Sequence, residues 1–216
     1  MSAPFDLAET DRLLSTTRAV RKRLDLTRPV EREVILDCIR ISQQAPTGSN
    51  SQTWRWMVVT DAGKRAELAR IYAETGKEYL AAAKENLDSS DAQTQRVYDS
   101  AFYLMDHLHE VPVHVIPCVT GRVPEGAPAA AHASMYGSIL PAVWSFQLAL
   151  RSRGLGSAWT TLHLFREQEA AKLLGIPDDV TQVALLPVAY TVGTDFKVAQ
   201  RPGPETITSF DQWELV

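Results

Sequence analysis

The chain has 216 residues, 45% of them hydrophobic and 22% charged, with a formal net charge of −4. That length and composition suit one globular domain with a full core, and mild acidity without a basic stripe interleaved with aromatics argues against nucleic acid as a partner. The N-terminal MSAPFDLAETDRLL lacks a basic-then-apolar targeting pattern, no apolar run approaches membrane-spanning length, and Cys38 and Cys118 sit in apolar contexts without metal-ligand spacing. A cytoplasmic protein with two buried thiols and no bound metal is therefore expected.

Residues 7–17 read as a short amphipathic helix that delivers the chain to Arg18-Ala19-Val20-Arg21-Lys22-Arg23, four cations in six residues. Cations near a helix C-terminus are favoured with or without a ligand, so a solvated basic face is one reading. Leu24, Leu26 and the Pro29-Val30 turn follow at once, however, and place the guanidinium groups beside a segment that packs, where they can fix an anion. Residues 30–44 form a second helix with Val34, Ile35, Cys38, Ile39 and Ile41 on one stripe.

Pro46 ends that helix, and Thr47, Gly48, Ser49, Asn50, Ser51 and Gln52 then present hydroxyl and amide groups of both hydrogen-bonding senses before the strand at 54–60. An ordinary helix-to-strand loop has the same composition. Taken with the basic cluster, the pair matches what an anionic ligand with a hydrogen-bonding ring requires: cations for a phosphate, and neutral amides and hydroxyls for ring and chain oxygens.

Helices are predicted over 64–86 and 92–110 with a break at 87–91, then a doubly buried strand at 113–120 and a turn-rich loop at 121–128. His107, His109 and His114 lack zinc spacing and read as surface or helix-end residues. Residues 129–153 form the longest helix, apolar around much of its circumference. Such a helix needs fuller burial than a surface helix, which a second subunit would supply. Gly154 caps it, a strand runs over 155–161, a helix over 167–174 and a buried strand over 182–193. The tail from 194 to 216 has no core-forming period.

Arg18-Ala-Val-Arg21 followed by Pro29-Val30, then Ala45-Pro46-Thr47-x-x-Asn50-x-Gln52-x-Trp54, resembles the flavin-binding pattern of the FMN-dependent nitroreductase family. The likeness continues through Gly154-Leu-Gly156 after the long helix and runs from about residue 15 to 205. Ala19 stands where the family has Ser, Arg23 where it has an aromatic, Thr47 where it has Ser, and Thr53 where it has Pro. Thr47 keeps the hydroxyl, and Ala19 keeps its backbone N–H.

The resemblance implies an α+β sandwich, a mostly antiparallel sheet flanked by helices, in an intertwined homodimer. It implies one flavin-binding domain over 1–216 with a C-terminal arm at about 194–216. FMN would lie at the subunit interface, with NADPH or NADH as a transient hydride donor and a nitroaromatic, quinone or other conjugated acceptor. Arg18 and Arg21, the backbone of Ala19 and Val20, and Arg201 from the arm would hold the phosphate. Pro46, Thr47, Ser49, Asn50 and Gln52 would hold ribityl and pyrimidine oxygens, and Trp159, Thr160 and Thr161 would meet the ring. The flavin carries the chemistry, and His163 is the one candidate for a local acid or base. Many relatives have an acidic residue and glycine near positions 161 and 162, which this chain replaces with Thr161 and Leu162.

No Gly-x-Gly-x-x-Gly after a strand, no phosphate-cradling Gly-x-x-x-x-Gly-Lys and no Gly-x-Ser-x-Gly elbow is present. Two further readings remain: a non-catalytic FMN-binding dimer for storage or sensing, and an interaction dimer without flavin. Among enzymes, the residues leave open a dehalogenase, an enoyl or azo reductase, and a deazaflavin donor.

Overall fold

Strand β2 (Val113–Thr120) organises the sheet because VHVIPCVT is apolar at nearly every position and can be covered on both faces, as it is in the computed structural model, which describes residues 4–85 and 92–213. Edge strand β1 (Trp54–Val59) pairs antiparallel with β2 on one side, Trp54 opposite Val119. On the other side β2 meets β4 (Val180–Gln182) and β5 (Leu186–Tyr190), and β5 pairs with β3 (Leu155–Ser157). Every pairing between these strands is antiparallel, as expected.

Because side chains alternate along a strand, β2 serves two layers. Val113, Val115 and Val119 join Ile35 and Cys38 of α2 (Arg32–Ser42) and Ile139, Val143, Phe146 and Leu150 of α5 (Ala129–Ser152) in one core. His114, Ile116 and Cys118 face the opposite layer. That layer holds α3 (Ala62–Glu85), α4 (Ala92–His107), the 3-10 turns Leu108–Glu110 and Leu162–Arg166, and α6 (Glu167–Leu174). The predicted break at 87–91 lies outside the described residues.

The strand expected over 182–193 is instead two, and the register gives the reason. Cys118 pairs with Gln182 and Val115 with Leu186, so Ile116 and Pro117 face three residues, Val183, Ala184 and Leu185. This two-against-three step is a β-bulge. Pro117 has no N–H to keep the ladder regular, and its carbonyl instead accepts from the Val183 amide at 3.0 Å.

The bulge frees Leu185 to pair with Thr160, N–H to carbonyl in both directions at 2.8 and 3.2 Å. The strand expected over 155–161 therefore keeps ladder geometry only through Ser157, and 158–161 runs as irregular chain pinned at Thr160. The helix expected to reach residue 110 ends at His107 and closes in a 3-10 turn. His114, expected at a surface or helix end, is a core residue with 0% exposure whose Nε2 lies 2.9 Å from the Leu108 carbonyl oxygen.

Helix α5 continues through Pro141. Its buried side faces the sheet, while Tyr136, Leu140 and Trp144, at steps of four, stay 37%, 38% and 43% exposed. With Leu36 and Ile41 of α2 also exposed, this leaves an apolar ridge on the helical layer.

The chain divides into two compact units. Residues 18–194 carry the sheet and the layers above. Residues 1–17 and 195–216 form the other, which contains α1 (Leu7–Thr16), capped by the Asp6 carboxylate accepting from the Glu9 amide at 3.0 Å, and the 3-10 turn Pro204–Ile207. Its Phe5, Leu7, Val198, Ile207, Phe210 and Trp213 are exposed.

Candidate functional site

The basic segment and the Trp159–Thr161 segment come together at β3. The Val20 amide donates to the Ser157 carbonyl at 2.8 Å, and Val20 packs so closely on Gly156 that a Cβ there would fall 2.9 Å from Val20 Cβ. Val20 is thus buried and its N–H is used by the fold, so it positions its neighbours. The two arginines then diverge. Arg18 and Ala19 are exposed. Arg21 is half-buried and reaches α4, where its Nη1 donates to Ser100 Oγ at 3.2 Å, with Tyr72 of α3 close by.

Arg21 has no carboxylate against it among the described residues. Burial holds its guanidinium below the usual range, and the nearby Tyr72 phenol opposes that shift. Burial likewise pushes the Tyr72 hydroxyl up to about 12, so it stays neutral and leaves the positive charge uncompensated. A half-buried cation without a counter-ion attracts negative charge.

Within the 159–161 segment, Trp159 packs on the core, and Thr160 is buried with its hydroxyl donating to the Leu185 carbonyl at 2.7 Å. Thr161 is exposed and opens the 3-10 turn, its carbonyl accepting from the Leu164 amide at 2.9 Å. Across from it, Thr75 of α3 donates to the Leu162 carbonyl at 2.8 Å. Gly76 leaves room for Leu162 Cδ1, which a Cβ would approach to 2.9 Å.

The Thr47–Gln52 loop is held against the N-terminal half of α5. The Gly48 amide donates to Ser138 Oγ at 2.9 Å, Ser138 Oγ donates to the Ser134 carbonyl at 2.8 Å, and Trp54 Nε1 donates to the Ser138 carbonyl at 2.8 Å. A Cβ at Gly48 would sit 3.1 and 3.2 Å from the Ser134 and Ser138 hydroxyls, so the close approach selects glycine. Thr47 Oγ1 accepts from the Gln52 amide at 3.3 Å, and Gln52 Nε2 donates to Asn50 Oδ1 at 3.0 Å.

Ser49, Asn50 and Gln52 are exposed and all left-handed, with φ of 53°, 53° and 48°. Non-glycine residues resist that region at a cost on the order of 1 kcal/mol each. Three of them in four positions lie in a loop fixed from beneath by Ser138 and Trp54. Beside them opens a groove of ≈ 330 Å³ lined by Ser49, Ser51, Thr53, Val119, Ser134 and Met135 among others. Pro46 is exposed at the loop's entrance.

Within one chain the two clusters lie toward opposite ends of α5. The loop sits on Ser138, whereas β3 is tied to α5 by Gln147 Nε2 donating to Ser157 Oγ at 2.9 Å. At about 1.5 Å per residue those anchors are roughly 13 Å apart along the helix. Arg201 belongs to the other compact unit and is exposed, with its Nη1 donating to the Gln200 carbonyl at 2.8 Å.

His163 is fully buried, with neither ring nitrogen hydrogen-bonded. Desolvation pulls it down to about 4, with Glu167 opposing and His114 reinforcing the shift. It is a neutral core imidazole closed off from solvent. No group of three or more potential metal ligands occurs among the described residues, and no helix described is long and apolar enough to cross a membrane.

Sequence reading missed Ser100, Tyr72, Ser134 and Ser138. The last two carried a signal, since two serines four apart on an otherwise apolar helix mark one polar spot. Ser100 carried none, because its partner lies 79 residues away.

The nitroreductase family model matches residues 14–190, and the chain belongs to that family. It is similar to the iodotyrosine deiodinase of Thermotoga neapolitana, 25% identical over 177 residues, covering 82% of this chain and 86% of that protein. Among solved structures it resembles an oxidised iodotyrosine deiodinase bound to FMN and 3-iodo-L-tyrosine, with a TM-score of 0.69, 25% identity and coverage of 93% and 98%. The FMN-dependent nitroreductase NfnB of Mycobacterium smegmatis, solved with NADPH, shares the fold at a TM-score of 0.67, 19% identity and coverage of 96% and 100%.

Proposed function

We propose that this chain is an FMN-dependent oxidoreductase that takes reducing equivalents from NADPH or NADH and passes them to a nitroaromatic, quinone or other conjugated acceptor. The observation that carries the reading is the pairing of a half-buried arginine lacking a carboxylate with a loop of three left-handed polar residues. The donor set fits the cofactor: a cation for its anionic parts, and neutral hydroxyls and amides for its ribityl and pyrimidine oxygens.

FMN, when bound, supplies reversible two-electron chemistry, and the chain's residues supply binding and orientation. Arg18 and Arg21 hold negative charge, and the arm of a second copy would add its exposed Arg201. Ser49, Asn50 and Gln52 offer their polar groups outward, Thr47 closes their loop, and the exposed Thr161 with the backbone of Trp159 and Thr161 meets the ring, while Thr160, bonded to Leu185 through backbone and hydroxyl, holds that segment in place. Arg21 adds positive charge in a partly dehydrated setting, which favours anionic over neutral forms of whatever it touches. His163 is buried away from solvent and fills the core.

The complete site is proposed to need two copies. The clusters are anchored at separate points along α5, and the exposed Tyr136, Leu140 and Trp144 offer an apolar ridge for a partner. Edge strand β1 borders an apolar groove of ≈ 590 Å³ lined by Val30, Ile35, Leu36, Ile39, Trp56 and Met57 among others. An extended arm from a partner, such as 194–216 with its exposed apolar residues, suits that edge. A cytoplasmic, single-domain protein is the corresponding biological reading.

Similarity to the iodotyrosine deiodinases favours a second reading of the acceptor, reductive removal of halogen from an aromatic ring. The test is anaerobic reduction by NADPH and by NADH, followed by a nitroaromatic, a quinone and an iodinated phenol in turn. Reoxidation by the first two supports the first reading, and iodide release supports the second. Bound FMN that neither donor reduces would replace both with storage or sensing.

A further inference from the structure

Arg21 is the inward-facing cation of the site, and its direction is set from outside the motifs. Its side chain leaves the turn that is locked to β3 by the Val20–Ser157 hydrogen bond and crosses to α4. There Ser100 Oγ accepts from Nη1 while donating its own proton to the Val97 carbonyl at 2.7 Å. The hydroxyl's rotor is therefore fixed by the helix, and its lone pair is aimed at the guanidinium. One guanidinium nitrogen is engaged, and the remaining donors of the planar fork are available to a ligand. Tyr72, 3% exposed on α3, covers the neighbouring space with a neutral phenol.

We infer that Ser100 is a positioning residue for the flavin site, orienting the Arg21 guanidinium so that its free donors face the cofactor. This rests on the FMN reading above and adds to it that the α3–α4 layer, through one hydroxyl, sets cofactor affinity. A flexible arginine without this anchor would spread over several rotamers, and ordering it would then be charged to binding. Threonine can keep the hydroxyl; alanine cannot.

The experiment is a double-mutant cycle read by FMN dissociation constants from flavin fluorescence, with Ser100→Ala, Ser100→Thr, Arg21→Ala and the Ser100→Ala/Arg21→Ala double variant. Ser100→Ala should weaken FMN about three- to tenfold, the net worth of one ordinary hydrogen bond, since Ser100 acts on the cofactor only through Arg21, and Ser100→Thr should restore most of it. In the Arg21→Ala background, Ser100→Ala should have no further effect. An equal loss in both backgrounds would show a general packing role and overturn the inference, as would an unchanged constant in Ser100→Ala. Wild-type protein that binds no FMN would overturn the flavin reading and this inference together.

Discussion

Lowering the pH from 7 to 5 should remove about 4 kcal/mol of folding stability through two buried histidines, at about 2 kcal/mol each. His114 and His163 are both fully buried, and desolvation holds each at about 4 against an ordinary value of 6.5. The sign follows from where protons bind. Between pH 6.5 and 4 the unfolded chain protonates these rings and the folded chain does not, so unfolding gains as the pH falls through that window. Their contribution is fully present above 6.5 and gone by about 4.

The groups near the two rings shape the effect without reversing it. Arg65 and the Leu108 carbonyl act on His114 in opposite senses, and Glu167 partly offsets the burial of His163. Carboxylates held below their usual range by hydrogen bonds, such as Asp25, Glu31 and Glu67, lose their contribution at lower pH, which separates the two windows. Urea unfolding of wild type and of His163→Leu at pH 7, 6 and 5 measures this. The variant should show about half the wild-type slope, and a flat wild-type profile over this range would mean that the rings are solvated.

Arg21→Ala should weaken FMN by roughly 1.5–3 kcal/mol, about ten- to more than hundredfold in the dissociation constant. Arg18→Ala should cost less, because Arg18 is exposed and Arg21 half-buried, and water screens the exposed charge. Equilibrium titration of both variants decides the order. Equal small losses would make the cluster a solvated face.

Much of the fold was legible because its signals are local. The apolar runs WRWMVV and VHVIPCVT and the apolar circumference of α5 gave element type and layer almost directly. The bulge opposite Pro117 was not, although the proline was visible: only the register on both sides shows that a third residue had to be fitted in. His114 was misplaced for a related reason. It sits one residue into a strand buried on both faces, and strand alternation sends it into the α3 layer. At the site, the motif residues announced themselves by type and spacing, but their division of labour did not. Arg21 turns inward toward Ser100 and Tyr72 while Arg18 stays out, and no local pattern ties either partner to residue 21.

The most direct test of the central claim is the absorption spectrum of the purified protein, repeated after incubation with FMN and removal of free ligand. The two-cluster site predicts a bound flavin spectrum at about one FMN per chain, with lower occupancy in Arg21→Ala. A colourless protein that fails to retain FMN after reconstitution would contradict it.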